Sequence, residues 1–147
     1  MSVAASTNVK PSLTLKRRIN AAPEKVFAAW TDPQKLARWF GGMEILSVDA
    51  EMDVRVGGAY RIVGHAANDT HEVSGTYREV VPNQKLVFTW AWKSTPERQS
   101  LVTVTLKPDG TGTMLTLLHE HFFDESARDR HQYGWVGAFD KLEKMFA

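Results

Sequence analysis

Residues 44–121 consist largely of short segments in which apolar and polar side chains alternate, and turn-forming residues separate these segments. Alternation with a period of two is typical of β-strands that bury one face. The predicted strands are Ile45–Ala50, Ala59–His65, Glu72–Val81, Lys85–Lys93, Ser100–Lys107 and Thr113–His121, preceded by Leu13–Ile19. The separators, such as Pro108-Asp109-Gly110, have the composition and length of hairpin turns. The pattern therefore predicts an antiparallel meander of six to seven strands.

Helical periodicity flanks this strand region. Pro23 and Glu24 suit a first helical turn, and Asp32-Pro33 predicts the start of a second short helix that ends at Gly41-Gly42. Residues 124–146 predict one long helix. Its large apolar side chains recur at intervals of four, three and four residues, and they are Trp135, Phe139, Leu142 and Phe146. Because only this last helix is long enough to cover a twisted sheet, we expect an α+β fold in which the sheet curls around it.

Composition and charge exclude several classes of protein. The chain has no cysteine, so disulfides, zinc ribbons and thiol nucleophiles are excluded. Its 18 basic and 17 acidic residues are scattered, which argues against a nucleic-acid partner. No apolar run approaches the ~20 residues of a membrane span, and the first residues lack the pattern of a secretory signal. We therefore expect a cytoplasmic protein with a disordered tail at residues 1–11 and a single domain at residues 12–147.

Large rings recur on the sheet face that should meet the last helix. Alternation along the strands and helical spacing place these side chains together: Tyr60, Ile62, Tyr77, Glu79, Phe88, Trp90 and His119 on the strands, His131, Trp135 and Phe139 on the last helix, and Trp39 on the short helix. Rings with a few polar groups are typical of small-molecule pockets. From composition alone, however, such rings more often fill a solid core.

Three ionisable residues fall on faces that are otherwise apolar, namely Arg17, Glu79 and His119. Burying an unpaired charge is costly, so each should be paired, neutral or located at a pocket mouth. One interpretation is an ion pair of Arg17 or Arg61 with Glu79. The other is that Glu79, His119 and His131 orient a ligand or act in acid–base chemistry. His119 is the strongest candidate because imidazole titrates near neutral pH.

The sequence contains no recognised catalytic motif. His119, His121 and His131 could supply three nitrogen ligands to a metal ion, but no further ligand pattern accompanies them. Isolated histidines more often form hydrogen bonds, so no metal site is predicted. A phosphate-binding glycine loop and a nucleophilic serine elbow are also missing. We therefore assign no catalytic residue and no cofactor, and the balance is against an enzyme.

Five segments resemble one known family, and the match runs in order over roughly nine tenths of the chain. They read RRINAAPEKVFAAWTDPQKLARWFGG at 17–42, VGGAYRIV at 56–63, GTYREVVPNQKLVFTW at 75–90, GTMLTLLHEHF at 112–122 and HQYGWVGAFDKLEKMF at 131–146. Their order and spacing are similar to those of the family named after the activator of the heat-shock protein 90 ATPase (AHSA1-like). This family belongs to the START-like, Bet v 1-like superfamily (SRPBCC). The segment GHAANDT at 64–70 departs most from the family pattern.

The resemblance implies a helix-grip fold that often leaves an apolar cavity between the sheet and the C-terminal helix. It therefore favours a pocket over a solid core. On this interpretation the chain is a cytoplasmic domain that binds an apolar or lipid-like small molecule through the rings, histidines and glutamate named above. Because residues 64–70 depart from the family at the expected cavity mouth, ligand preference transfers least securely there.

The same resemblance leaves two other functions open. The family's namesake suggests a protein-interaction module with a chaperone partner in the stress response, although we expect no counterpart of the namesake's separate N-terminal domain before Leu13. Cyclases and hydrolases of the superfamily suggest an enzyme that uses His119 or Glu79 as its acid or base. Either a monomer or a homodimer is compatible with the sequence.

Overall fold

The computed structural model describes residues 10–147, and within this range it contains seven strands and three helices. The strands are β1 Leu13–Ile19, β2 Ser47–Met52, β3 Ala59–His65, β4 Thr70–Val81, β5 Lys85–Trp92, β6 Ser100–Asp109 and β7 Gly112–Glu120, and the helices are α1 Pro23–Thr31, α2 Pro33–Leu36 and α3 Glu125–Met145. Most of the predicted N-terminal tail, residues 1–9, lies outside the described residues. None of these three helices is long and apolar enough to cross a membrane.

The seven strands form one antiparallel sheet in the order β1-β7-β6-β5-β4-β3-β2. Strands β2 to β7 follow the chain as a meander, and β1 pairs with β7 so that Leu13 lies opposite His119. Helix α3 packs on the inner face of the sheet and buries Trp135, Phe139 and Leu142. The predicted α+β helix-grip fold is confirmed, because period-two strands and one long amphipathic helix can bury their apolar faces only against each other.

Helices α1 and α2 form an elbow that packs against α3. Pro23 begins α1, and Asp32 follows its last residue, as the sequence predicts. The Asp32 carboxylate accepts hydrogen bonds from the Gln34 and Lys35 backbone amides at 2.9 and 3.4 Å, which caps α2. Trp30 of α1 meets Phe139 of α3 with ring centroids 6.2 Å apart. The elbow thereby fixes one end of the space between the sheet and α3.

Two of the element boundaries that differ from the prediction flank the segment between α2 and β2. Strand β2 begins at Ser47 rather than at Ile45, because Ile45 belongs to a turn in which its amide donates to the Gly42 carbonyl at 3.1 Å. Helix α2 ends at Leu36, and Trp39 and Phe40 continue as turns whose amides donate to the Leu36 carbonyl at 3.2 and 3.0 Å. The segment between α2 and β2 is therefore a longer loop than the sequence predicts, and it borders the site described below.

Strand β4 carries an irregularity that changes which of its side chains face inward. Tyr77 pairs with Phe88, but Glu79 pairs with Val87, so the register shifts by one residue between them. Such a bulge rotates the side chains that follow it relative to the plain alternation. Earlier in β4, a Cβ on Gly75 would overlap the Thr89 carbonyl oxygen. Only glycine permits this close approach of two backbones where the sheet curls.

Candidate functional site

A cleft of about 320 Å³ lies between the loop after α2, the adjoining ends of β3, β4 and β5, and helix α3. It is partly open to solvent. Its walls combine rings, glycines and a few polar groups: Phe40, Gly41, Gly42, Glu44, Ile45, Gly64, His71, Trp90, Trp92, Arg130, His131, Gly134, Trp135 and Ala138. This volume lies at the lower end of the range for small-molecule sites.

Three glycines of the cleft wall differ in what surrounds them. Gly134 lies inside α3, and a Cβ placed on it would meet no atom within 4 Å, so a larger side chain here would project into free space. On the opposite wall, Gly41 has a positive φ of 87° and Gly64 lies in β3, and both approach the Ile45 side chain. A Cβ at these positions would lie 2.7 and 3.2 Å from atoms of Ile45. Free space of the cleft thus lies over Gly134, while Gly41 and Gly64 make room for the Ile45 side chain.

Aromatic rings form the inner wall of the cleft. Trp90 of β5 lies 5.2 Å from Trp135 of α3 and 5.5 Å from Trp92, measured between ring centroids. Phe40, from the loop after α2, lies 6.0 Å from Trp90 and 6.1 Å from Trp135. These edge-to-face and tilted contacts hold the rings in fixed orientations. A ligand in the cleft would therefore meet a rigid wall of indoles.

The space deeper between the sheet and α3 is almost filled. The void there measures about 10 Å³, which is no more than the room that a single water molecule needs. Tyr60, Tyr77 and Phe88 close it, with ring centroids 5.4 to 5.9 Å apart. The Tyr60 hydroxyl donates to the Thr89 carbonyl at 2.6 Å, and burial raises the pKa of Tyr60 well above its usual value. This part of the molecule is a packed core.

His119 lies fully buried directly behind the aromatic wall. Its Nδ1 accepts a hydrogen bond from the Trp135 indole at 3.1 Å, which assigns the ring proton to Nε2. Nε2 then donates to the Ser100 hydroxyl at 2.7 Å. Burial, together with the nearby His131, lowers the pKa of His119 to about 2. His119 is therefore a neutral residue with both nitrogens occupied, and this arrangement leaves no free nitrogen for acid–base chemistry.

His131 forms a second histidine–indole pair at the cleft itself. Its Nδ1 donates to the Ala127 carbonyl at 2.7 Å, and its Nε2 accepts from the Trp92 indole at 2.8 Å. Burial lowers the pKa of His131, against the opposing effect of the Ala127 hydrogen bond. His131 is half-buried and, like His119, is neutral in this arrangement. Its role here is to fix the orientation of Trp92.

His121 does not join the other two histidines. The prediction that it shares a face with His119 is wrong, because β7 ends at Glu120 and His121 has a positive φ of 69° that breaks the alternation. Its side chain is 59% exposed. Within residues 10–147, no three histidine, aspartate or glutamate side chains are grouped so that they could hold a metal ion.

The predicted position of Glu79 on the inner face is also wrong. The bulge after Tyr77 takes Glu79 out of the inward alternation, its side chain is 47% exposed, and it pairs with Lys85 at 3.3 Å. The proposed ion pairs to Glu79 are not formed. Arg17 instead contacts Asp140 of α3 at 2.9 Å, and Arg61 makes two hydrogen bonds to Glu72 at 2.9 and 3.1 Å.

The structure thus divides the predicted contact residues into three groups. Trp90, His131 and Trp135 line the cleft. The packed interior around it contains Trp39, Tyr60, Ile62, Tyr77, Phe88, His119 and Phe139. Glu79 lies outside both. Contact of these residues with a ligand stays a prediction.

Several cleft residues are missing from the sequence-based prediction. Gly134, Gly64, Glu44, His71 and Arg130 were not among the expected contacts. Gly134 offered a usable pattern, because a glycine inside a helix costs about 1 kcal/mol relative to alanine and so marks a position where a side chain is unwelcome. No sequence pattern marks Glu44, His71 and Arg130 as cleft residues. They come together only where the loop after α2 and the β3–β4 hairpin meet α3.

Comparison with known proteins agrees with this architecture. The model of the family described as "Activator of Hsp90 ATPase homolog 1-like protein" matches residues 20–147. The chain belongs to this AHSA1 family. As an AHSA1-like protein it has the START-like fold of the Bet v 1-like superfamily, which confirms the family resemblance of the five sequence segments. A search of curated proteins found no match.

Solved structures similar to this AHSA1-like chain come from several bacteria. Protein CV1439 from Chromobacterium violaceum is 27% identical, with a TM-score of 0.81 over 92% of this chain and 96% of that one. The AHSA1 protein SPO3351 from Silicibacter pomeroyi is 28% identical, with a TM-score of 0.79 over 92% and 96%. CalU16 from Micromonospora echinospora is 28% identical, with a TM-score of 0.70 over 92% and 74%.

Proposed function

We propose that this chain is a small-molecule-binding domain and that its ligand occupies the cleft beside Gly134. The observation that carries the proposal is the combination of three tryptophans, Trp90, Trp92 and Trp135, on one wall with free space over a glycine on another. Burial of apolar ligand surface against these indoles would provide most of the affinity, at roughly 25 cal/mol per Å² before the ordering costs. The ligand is therefore mostly apolar.

The ligand would not reach the region that the sequence favoured. A guest between Tyr60, Tyr77 and Phe88 would have to displace packed rings, because the void there holds about 10 Å³. The cleft is offset toward the loop after α2 and the β3–β4 hairpin, which includes the segment 64–70. This offset supports a site whose specificity is set by the loop, the hairpin and α3 rather than by the centre of the sheet.

Acid–base catalysis is not part of the proposal. His119 has both ring nitrogens in hydrogen bonds, and Glu79 is paired with Lys85 outside the inner face. AHSA1 family membership fits a ligand or a chaperone partner in general terms, and the cleft geometry supports the ligand. We also propose that residues 12–147 act as one domain in the cytoplasm, since one continuous sheet joins β1 to β7 and the chain has no cysteine.

Substitution of Gly134 by leucine tests the proposal. The new side chain would extend into the cleft, where a Cβ meets nothing within 4 Å, and would exclude a ligand without a clash in the core. Thermal unfolding of the wild type with a panel of lipophilic metabolites should show a higher Tm with at least one member. A ligand at a hundred times its Kd adds about 2.7 kcal/mol, or roughly 5–10 °C.

Gly134→Leu should lose this response. The matched control is Gln132→Leu, which adds the same side chain to an exposed position of the same helix and should keep it. A panel that leaves the wild-type Tm unchanged, or a Gly134→Leu variant that responds as the wild type does, would contradict binding in the cleft.

A further inference from the structure

Arg130 brings a positive charge to the cleft, and no acidic side chain among residues 10–147 forms an ion pair with it. It lines the cleft from α3, and its Nη1 donates to the Ser126 hydroxyl at 2.7 Å. Within residues 10–147, no carboxylate oxygen lies within 4.0 Å of its guanidinium nitrogens, whereas the nearby Arg128 contacts Asp129 at 3.1 Å. Residues 1–9 contain no aspartate or glutamate. Most of the guanidinium's donors are therefore left for solvent or a ligand.

Among the other polar groups of the cleft, the buried Trp90 Nε1 has no hydrogen-bond partner within the described residues, but it is an uncharged donor. His71 approaches Asp69 at 3.9 Å. Burial lowers the pKa of Lys141, the nearby Glu44 carboxylate opposes this effect, and the Lys141 ammonium donates to the Gly42 carbonyl at 3.1 Å. His131 is neutral and has both nitrogens in hydrogen bonds. Arg130 is thus the positively charged residue of the cleft lining whose donors remain for an anionic partner.

We propose that the ligand of the cleft is an aromatic acid, a planar ring system that carries one anionic group. The inference rests on the proposed function and narrows its ligand class. The rings lie against Trp90, Trp92 and Trp135, and the anionic group points outward to the guanidinium of Arg130. A guanidinium offers a planar pair of donors that matches a carboxylate or sulfonate. An anion placed deeper, among the rings, would have no such partner and would be costly to bury.

Two fluorescent probes that differ only in the anionic group test this inference. 1-Anilinonaphthalene-8-sulfonate carries a sulfonate, and N-phenyl-1-naphthylamine is the same ring system without it. Both would be titrated at neutral pH into wild-type protein, Arg130→Gln and Arg128→Gln. The last variant removes an equal charge from the same helix outside the cleft.

Arg130→Gln should weaken the sulfonate probe about fivefold, as expected for one partly exposed charged contact. The same variant should change the Kd of the neutral probe by less than about twofold, because ring contacts do not involve the guanidinium. Arg128→Gln should change the Kd of either probe by no more than this factor. The inference is overturned if Arg130→Gln weakens both probes equally or weakens neither.

A further variant separates this inference from the proposed function. Gly134→Leu should abolish binding of both probes, since it fills the cleft whatever the charge of the ligand. If neither probe binds the wild type, or if binding survives Gly134→Leu, the cleft is not the site and both proposals fail. If Gly134→Leu blocks both probes but Arg130→Gln does not discriminate between them, the proposed function stands and the aromatic acid is rejected.

Discussion

Two histidine–indole pairs join the sheet to α3, and the two differ in depth. Trp135 donates to the buried His119, whereas Trp92 donates to the half-buried His131. A hydrogen bond lost in the interior leaves an acceptor without any partner, but near the surface water can replace the donor. Loss of the hydrogen bond should therefore cost more stability at His119 than at His131.

Replacement of each tryptophan by phenylalanine measures this difference. Trp135→Phe should destabilise the protein by about 1–3 kcal/mol more than Trp92→Phe, because only the first leaves a buried imidazole nitrogen unsatisfied. The chemical change is the same in both variants, and the cavity that it leaves at the buried Trp135 adds to the difference in the same direction. Urea unfolding of both variants provides the comparison, and equal losses of stability would contradict the assigned tautomer of His119.

At the scale of the elements, glycines have opposite roles in α3 and β4. Gly134 interrupts a helix beside free space, while Gly75 lies against the Thr89 backbone. The first lowers the stability of its helix and keeps the cleft open. The second makes the curl of the sheet possible. Any other residue at position 75 would force the two backbones apart.

The same substitution at the two glycines should therefore have opposite effects. Gly134→Ala should stabilise the fold by about 0.5–1 kcal/mol through helix propensity. Gly75→Ala should destabilise it by about 3 kcal/mol, because the new Cβ overlaps a backbone carbonyl that cannot rotate away. Chemical denaturation followed by circular dichroism measures both. A loss of stability in Gly134→Ala would show that the space above this glycine is not free.

At the scale of the whole molecule, buried histidines link stability to pH. His119 has its pKa lowered to about 2, and that of His131 is also lowered, so the unfolded chain binds more protons than the folded one below pH 6.5. Their contribution to stability is complete above pH 6.5 and is lost as the pH falls. The slope for each fully neutral histidine approaches about 1.4 kcal/mol per pH unit.

Unfolding measured between pH 8 and pH 4 should show this loss, and His119→Asn should show a shallower pH dependence than the wild type. Asparagine keeps an acceptor near the Trp135 indole but does not titrate. Histidine resonances followed by NMR give a second measurement that needs no variant. A His119 ring that titrates near pH 6.5 in the folded protein would contradict its burial as a neutral residue.

Most of the fold follows from local patterns. Period-two alternation fixes the strands of the meander, turn residues fix their connections, and the Trp135–Phe139–Leu142 stripe fixes the face of α3 that meets the sheet. Only part of the candidate site could be predicted from these local patterns. Alternation assigned Tyr77 to the interior correctly but failed for Glu79, because a bulge lies between them and depends on how β4 meets β5.

The sequence alone determined that a curved sheet would hold one amphipathic helix, since hydrophobic periodicity and turn chemistry act over a few neighbouring residues. Where space remains between the sheet and the helix depends on packing in three dimensions. Rings from five different elements fill the centre, while free space remains over Gly134 in the cleft beside the loop after α2. A cavity depends on whether side chains distant in sequence meet, and that is fixed by their packing in three dimensions.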